Sequence, residues 1–347
     1  MLGFRSVLVL AAVVLPSVLA TGRNSASPGK SPTAALASTK PSGGSAKASL
    51  RIAVVSDLND AYGSTTYSSE VHAATRALID RIRPDLVLIT GDMVAGQMPN
   101  LRYSAMWRGF HAAVTEPLRA AGIPVAPAPG NHDASGYPQF ANERAEYAKQ
   151  WTEPNHVPAV SFVDRKNYPF QYSFGHRGAF FVALDATRGG PIPASDRSWV
   201  DQQLGGASQT IKLGYGHLPL HPVAHGRLGE VLGDSKLERV FSDRGLTAYL
   251  SGHHHAYYPG RAGGIRQVAM PCLGGGQRVL VGTRRASKKA LVVIDVANDA
   301  VQRIDALEAP LFQTPVDRST LPKRIVHGRH VLVRDDVVDV RSGMADG

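Results

Sequence analysis

Asp57, Asp92, Asn131, His217 and His253 each stand at the C-terminal end of a short apolar run, and His255 lies two residues beyond the last of them. A buried core would not gather such groups in one place without cations or hydrogen-bond partners. Carboxylate, amide oxygen and imidazole together are suitable ligands for Mn, Fe or Zn, and the mixture argues against a pure Ca or Mg site. One carboxylate can bridge two ions about 3.5 to 4 Å apart, and such a pair can activate a water and neutralise charge on a phosphoryl transition state. His253 and His255, at i and i+2, project to one side of an extended segment, so that one could serve each ion. The single cysteine, Cys272, rules out both an intrachain disulfide and a Cys-based zinc site.

The elements that must position these residues alternate along the chain. Residues 51–56 form a short apolar run ending at Asp57, and 85–90 form a second ending at Gly91-Asp92. Residues 123–126 form a third, followed by Gly130-Asn131-His132-Asp133. Helical spacing covers 71–83 and the stretch around 107–121. Further strands are expected at 179–184, 210–215, 246–250, 264–270, 290–296 and 301–307. In α/β sheets the C-terminal edge of the strands is where loops converge on a ligand.

In this order the residues resemble the calcineurin-like metallophosphoesterases. That family carries the blocks D-x-H, G-D, G-N-H-D/E, a His before x-Pro, and G-H-x-H. Here they read Asp57-Leu58-Asn59, Gly91-Asp92, Gly130-Asn131-His132-Asp133, His217-Leu218-Pro219 and Gly252-His253-His254-His255. The resemblance spans about residues 51–310 and implies a four-layer α/β/β/α sandwich. It implies two divalent metal ions, with Asp92 bridging them. Asp57 and His255 would hold the first, with Asn59 a candidate beside them. Asn131, His217 and His253 would hold the second. His132 would face the phosphoryl oxygens and protonate the leaving group, with Asp133 orienting it and holding its charge. The implied activity is hydrolysis of phosphoric mono- or diesters by metal-bound hydroxide. Hydrolysis of a pyrophosphate in a nucleotide or lipid-linked substrate is an alternative, as is a metal-bound binding module without turnover.

One position departs from the family pattern. The first block usually ends in His, and here it ends in Asn59, whose amide oxygen is a weaker ligand. Three readings follow: a ligand exchange with activity kept, a weakened first site, or a non-catalytic relative. Retention of His132 argues for activity. The purple acid phosphatases also lack that His, but they place a Tyr three residues after the bridging Asp. That position is Ala95, which argues against the ferric purple type.

His156, His221 and His225 rival His217, but the strand at 210–215 runs straight into His217. His72 and His111 fall on helical stretches and read as surface groups. His254 takes the variable position of its block and is expected to point away from the ions. Asp185 reads as structural. Gly274-Gly275-Gly276 is a place where backbone could approach the site. The loop Tyr62 to Tyr67 reads equally as a substrate lip or as an ordinary turn.

At 347 residues, 43% hydrophobic and 19% charged, the chain is long and apolar enough to bury a sizeable core. Half of its +10 formal charge comes from Arg5, Arg23, Lys30, Lys40 and Lys47, leaving +5 beyond residue 50. A mildly basic domain suits a small anionic phosphoester. Without a dense Lys/Arg stripe and interleaved aromatics, no specific nucleic-acid binding is expected. Arg5, then the apolar stretch 6–20 ending Val18-Leu19-Ala20, reads as a signal peptide. The stretch is shorter than the roughly 20 residues needed to span a bilayer. Export to a periplasm or the medium follows, with no stable membrane span after cleavage and a membrane anchor if uncleaved. The expected organisation is therefore a signal peptide over 1–20, a flexible Ser/Ala/Gly/Pro linker over 21–50, the domain over 51–310, and a C-terminal extension over 311–347. The Val-rich piece 330–340 of that extension could add an edge strand.

Overall fold

The computed structural model describes residues 49–337. The expected signal peptide and nearly all of the expected linker lie outside that range. Three short apolar runs become β1 (Leu50–Val55), β2 (Leu86–Ile89) and β3 (Val125–Pro127). Between them run α1 (Ser69–Ala77), continued by a π turn over Leu78–Ile82, and α2 (Tyr103–Phe110). A second π turn, His111–Thr115, joins α2 to α3 (Glu116–Ala120). A single turn, α4 (Asn131–Ala134), and α5 (Ala141–Thr152) follow.

The chain then forms β4 (Ser161–Asn167), β5 (Gln171–His176), β6 (Ala179–Ala183), α6 (Ala194–Gly206) and β7 (Ile211–Gly216). Next come α7 (Ser235–Asp243), β8 (Ala248–Ser251), β9 (Tyr258–Ala262) and β10 (Ile265–Ala269). The last strands are β11 (Ala290–Ala297), β12 (Ala300–Glu308), β13 (Arg324–His327) and β14 (His330–Arg334).

Two sheets result. The first has the order β12-β11-β1-β2-β3, with β1, β2 and β3 parallel. The second has the order β13-β14-β9-β10-β8-β7-β6-β5-β4, with β6, β7, β8 and β10 parallel. Successive side chains of a strand point to opposite faces, so each buried strand serves two cores. Ala53 and Val55 of β1 pack with Val71, Leu78, Trp107 and Trp151 from the helices. Ile52 and Val54 pack with Phe174, Phe181, Leu213 and Leu250 of the second sheet. Phe180 and Val182, on the other face of β6, meet Val200 and Leu204 of α6 and Leu237 and Phe241 of α7. Burying a side chain such as Leu213 or Phe181 contributes about 1.5–3 kcal/mol. The result is a mixed α/β fold of two sheets and helices, as the sequence implies.

Some features differ from expectation. The hairpin β4–β5 and the strand β9 are additional to the strands read from the sequence. β4 carries Asp164, Arg165 and Lys166 in succession on an exposed edge, and β9 contains Pro259 and Gly260, both unfavourable in strands. Residues 324–334, assigned to the extension, form β13 and β14, and β14 pairs with β9. His111 is not a surface group. It stands one turn beyond Trp107 on the buried helix face, where it is 3% exposed among Trp107, Trp151 and His156. Among the described residues no helix is long and apolar enough to cross a membrane.

Candidate metal centre

The loops that leave β1, β2 and β10 are stitched together by backbone. Asp57 N–H donates to Gly91 O at 3.1 Å, and Leu58 N–H to Asp92 O at 2.9 Å. Gly274 N–H donates to Asp57 O at 2.8 Å. Asp57, Asp92, His253 and His255 all sit at positive φ, between 48° and 66°. Each such residue costs on the order of 1–3 kcal/mol, held in place by the surrounding structure. Gly252 is needed for the close approach: a Cβ there would strike Ser56 Oγ and lie 2.7 Å from Asp57 Oδ2.

Four lone-pair atoms meet at His217 Nε2. His217 Nδ1 lies 2.8 Å from Thr90 O, which can only accept, so Nδ1 carries a hydrogen and Nε2 faces inward with its lone pair. His253 Nε2–H donates to Glu230 Oε2 at 2.9 Å, which leaves Nδ1 bare, 3.2 Å from His217 Nε2. Asn131 Nδ2 donates to Gln97 Oε1 at 2.9 Å, which turns Oδ1 inward, 2.8 Å from His217 Nε2. Asp92 Oδ2 completes the set at 3.3 Å. Two imidazoles, an amide and a carboxylate thus turn acceptors toward one another, an arrangement that calls for a positive charge. The electrostatics likewise favour a positive charge here: burial pushes His217 down, but the Asp92 carboxylate outweighs it and raises His217 to about 9, so an ion would take the place of the Nε2 proton. His253 is pushed down to about 4, chiefly by burial.

A second cluster adjoins the first. Atoms of Asp57, Asp92 and His255 lie within 4.8 Å of one another. His255 Nδ1 is 3.1 Å from Gly275 O and 3.0 Å from Gly276 O, so it carries the hydrogen, and Nε2 reaches to 3.1 Å from Asp57 Oδ1. Burial disfavours the charged His255, but Asp57 raises it to about 11. Burial likewise opposes the charge on Asp57, yet His255 holds it below the ordinary carboxylate range. Asp92, held well below that range by His217 and His132 against its burial, belongs to both clusters. Asn59 is held through Nδ2, which donates to Val94 O at 2.9 Å, so its Oδ1 is the atom with lone pairs to offer. The donor sets fit two divalent ions: Asp57, His255 and Asp92 with Asn59 beside them, and Asp92, Asn131, His217 and His253.

His132 sits on the turn that follows β3. Its backbone N–H donates to Asp92 Oδ1 at 2.9 Å, and its Nδ1–H donates to Gly96 O at 3.1 Å. The orienting role expected of Asp133 therefore falls to Gly96 O. Both carboxylate oxygens of Asp133 are taken by backbone, from Val94 N at 2.8 Å and Gly130 N at 3.0 Å. Burial, with the charge of Asp92, pushes Asp133 up to about 8. It fastens the second loop to the third.

Among the sequence-predicted residues, Asp57, Asp92, Asn131, His217, His253 and His255 come together, with Asn59 and His132 at their margin. His254 does point away, accepting from Val223 N at 3.2 Å with its other nitrogen 3.1 Å from Glu230 O. Asp185 is structural, paired with Arg144 at 2.5 Å. The glycines Gly274–Gly276 do bring backbone to the site. His221 is engaged elsewhere, with Glu238 at 2.8 Å and His330 at 2.9 Å. The sequence reading missed Glu230 and Gln97, which fix His253 and Asn131. Both lie in irregular loops where no periodicity or motif marks them.

Comparison with known proteins agrees with this geometry. The family model for calcineurin-like phosphoesterases matches residues 50–257. No curated protein matches the chain. Among solved structures, it resembles the purple acid phosphatase PPD1 of yellow lupin (Lupinus luteus) at 16% identity and TM-score 0.54, over 76% of this chain and 52% of that one. It resembles PhoD at 12% identity and TM-score 0.52, over 72% of this chain and 64% of that one. It also resembles GAP50, the anchor in the inner membrane complex of Plasmodium, at 13% identity and TM-score 0.51, over 75% and 84%. The chain thus spans between half and two thirds of the length of the first two, and the likeness at these identities is one of fold. The matched segment begins with β1, ends just past the His253-His254-His255 triplet, and so contains every residue of both clusters: the chain belongs to the calcineurin-like phosphoesterase family.

Proposed function

We propose that the chain is a hydrolase of phosphoric mono- or diesters that works with two divalent ions, with Mn, Fe or Zn best suited to its ligands. The observation that carries the proposal is the inward turn of four acceptor atoms at His217 Nε2, each fixed by a second partner, beside the Asp57–Asp92–His255 cluster. When bound, the ions lower the pKa of a water to make it a nucleophile and offset charge on the phosphoryl oxygens.

The chain's own residues supply the rest. His132, with Nδ1–H committed to Gly96 O, has Nε2 as the nitrogen that takes up and releases a proton. It is placed to protonate the leaving oxygen as the ester bond breaks. Arg278 is a further anion-binding group. Its backbone N–H donates to His255 O at 3.3 Å, and its half-buried guanidinium has an Nε that no partner takes. The apolar stretch at 6–20 supports an exported enzyme acting on small anionic esters.

The test is turnover of p-nitrophenyl phosphate and bis(p-nitrophenyl) phosphate by the purified protein with Mn²⁺, Zn²⁺, Mg²⁺ or Fe²⁺. Turnover should vanish in chelator, return with metal, and fall to background in Asp92→Ala. Failure to turn over any ester with both ions shown to be bound would overturn the proposal.

A further inference from the structure

His132 does not stand alone. The ring of Tyr62 lies 5.4 Å from it, centroid to centroid, at an interplanar angle of 52°. Tyr62 follows the first metal block by three residues, and 57% of it is exposed. A large ring left in water next to the His132 imidazole is a contact surface in want of an occupant.

The loop beneath it is tied to the His132 loop by backbone. Gly63 N–H donates to Ala95 O at 3.0 Å, Gly96 N–H donates to His132 O at 2.9 Å, and Gly96 O takes the His132 Nδ1 hydrogen. Two more exposed apolar side chains stand on these same loops. Met98 follows Gln97, and Tyr137 lies two residues past Ser135, whose Oγ accepts from Gln97 Nε2 at 3.2 Å. The other exposed large apolar residues among those described, Val163, Leu311, Val326 and Val331, lie in or after β4, β12, β13 and β14. The side chains of the two metal clusters are polar and largely buried, so the phosphoryl group has no need of the Tyr62 ring.

We propose that Tyr62 is the platform for the leaving alcohol, and that preferred substrates are phosphoesters whose alcohol carries a planar aromatic ring. The inference rests on the reading of His132 as proton donor to the leaving oxygen. If His132 reaches that oxygen, whatever the oxygen is attached to lies beside the ring that touches His132. A stacked ring is sequence-tolerant and geometry-tolerant chemistry, so a nucleobase and a simple aryl group both qualify.

The experiment uses two pairs of alkyl phosphates matched in the reactivity of the leaving oxygen. These are adenosine 5′-monophosphate against ribose 5-phosphate, and 2-phenylethyl phosphate against butyl phosphate. The wild-type protein should prefer the ring-bearing member. In Tyr62→Ala that member should lose about tenfold more kcat/KM than its partner, mostly through KM, and Tyr62→Phe should retain the preference. Preference within the first pair alone identifies a nucleobase; preference in both pairs identifies any aromatic ring. Equal loss on both members, with a displaced pH profile, would make Tyr62 a prop for the His132 ring and overturn the proposal, as would no loss on either. Calorimetric binding of 2-phenylethylphosphonate against butylphosphonate, which have no ester bond to break, to the Mn²⁺-loaded protein reads the same selectivity without turnover. A failure of the hydrolase reading and a failure of the Tyr62 reading therefore show up separately.

Discussion

Glu230 tests the claim that the second cluster is set by tautomer. Its carboxylate accepts from His253 Nε2 at 2.9 Å and is also paired with Arg227. That bond keeps the hydrogen on Nε2 and the lone pair on Nδ1, which faces His217. Both partners hold Glu230 down at about 2, with His253 the larger influence. In Glu230→Ala either imidazole nitrogen can carry the hydrogen, and the ring loses its orienting bond. A hydrogen bond to a charged group contributes about 1.5–3 kcal/mol when shielded from water. The Glu230 side chain is 46% exposed, so water replaces part of the bond and the lower end applies. About 1.4 kcal/mol is a tenfold weaker affinity, at the lower end of what loss of such an outer partner does to metal sites. Glu230→Gln keeps a carbonyl acceptor and should lose only about two- to threefold. The assay is competitive titration of Mn²⁺ and Zn²⁺ against a chromophoric chelator, fitted for two ions. Glu238→Ala, which removes the like bond to His221 away from the cluster, should change neither affinity. If Glu230→Ala binds both ions as the wild type does, or if Gln loses as much as Ala, the tautomer argument fails.

Two other perturbations reach different parts of the molecule. Asn59→His replaces an amide oxygen by imidazole beside Asp57 and His255, and should tighten the first ion by about tenfold in the same titration. Unchanged affinity would remove the Asn59 side chain from the ligand set. His111 is buried with neither ring nitrogen hydrogen-bonded, and burial pushes it down to about 3 from an ordinary 6.5. A lowered folded value means that its contribution is fully present above pH 6.5 and is lost as pH falls toward 3. At pH 4 the loss is about 3 kcal/mol, from 1.36 kcal/mol per unit. Urea unfolding at pH 7 and pH 4 should therefore show His111→Leu losing about 3 kcal/mol less than the wild type between the two. Equal losses would mean that another group controls acid unfolding.

What the sequence made legible follows from where each residue stands. Strands buried on both faces read as unbroken apolar runs, so a polar residue at the end of one is conspicuous. Asp57, Asp92, Asn131, His217 and His253 stand out for that reason, and β1, β2, β3, β6, β8 and β11 with them; β10 and β12 carry polar residues and read as strands from their β-branched content between turn residues. β4 hid because an edge strand may carry charge, and β9 because Pro259 and Gly260 speak against a strand until neighbours on both sides enclose it. His111 shares the buried helix face with Trp107 at i−4 and Val114 at i+3; a polar, titratable side chain reads as a surface group even where the spacing points inward.

The partners of the ligands were hidden for another reason. His217, His132 and His255 are held by Thr90 O, Gly96 O, Gly275 O and Gly276 O. Every residue has a carbonyl oxygen, so no side-chain type announces these bonds. The glycine run 274–276 was a partial exception: only glycine lets backbone come this close, since a Cβ on Gly274 would strike Asn59 O. The same logic separates the two groups that point away from backbone. Glu230 and Tyr62 act through side chains from irregular loops, where type alone, without position, carries little information. The residues at strand ends supply the donor groups of the proposed metal site. The loop residues that spacing does not mark decide how firmly His253 is held and what the cleft accepts next to His132, and so the tests of affinity and of selectivity fall on them.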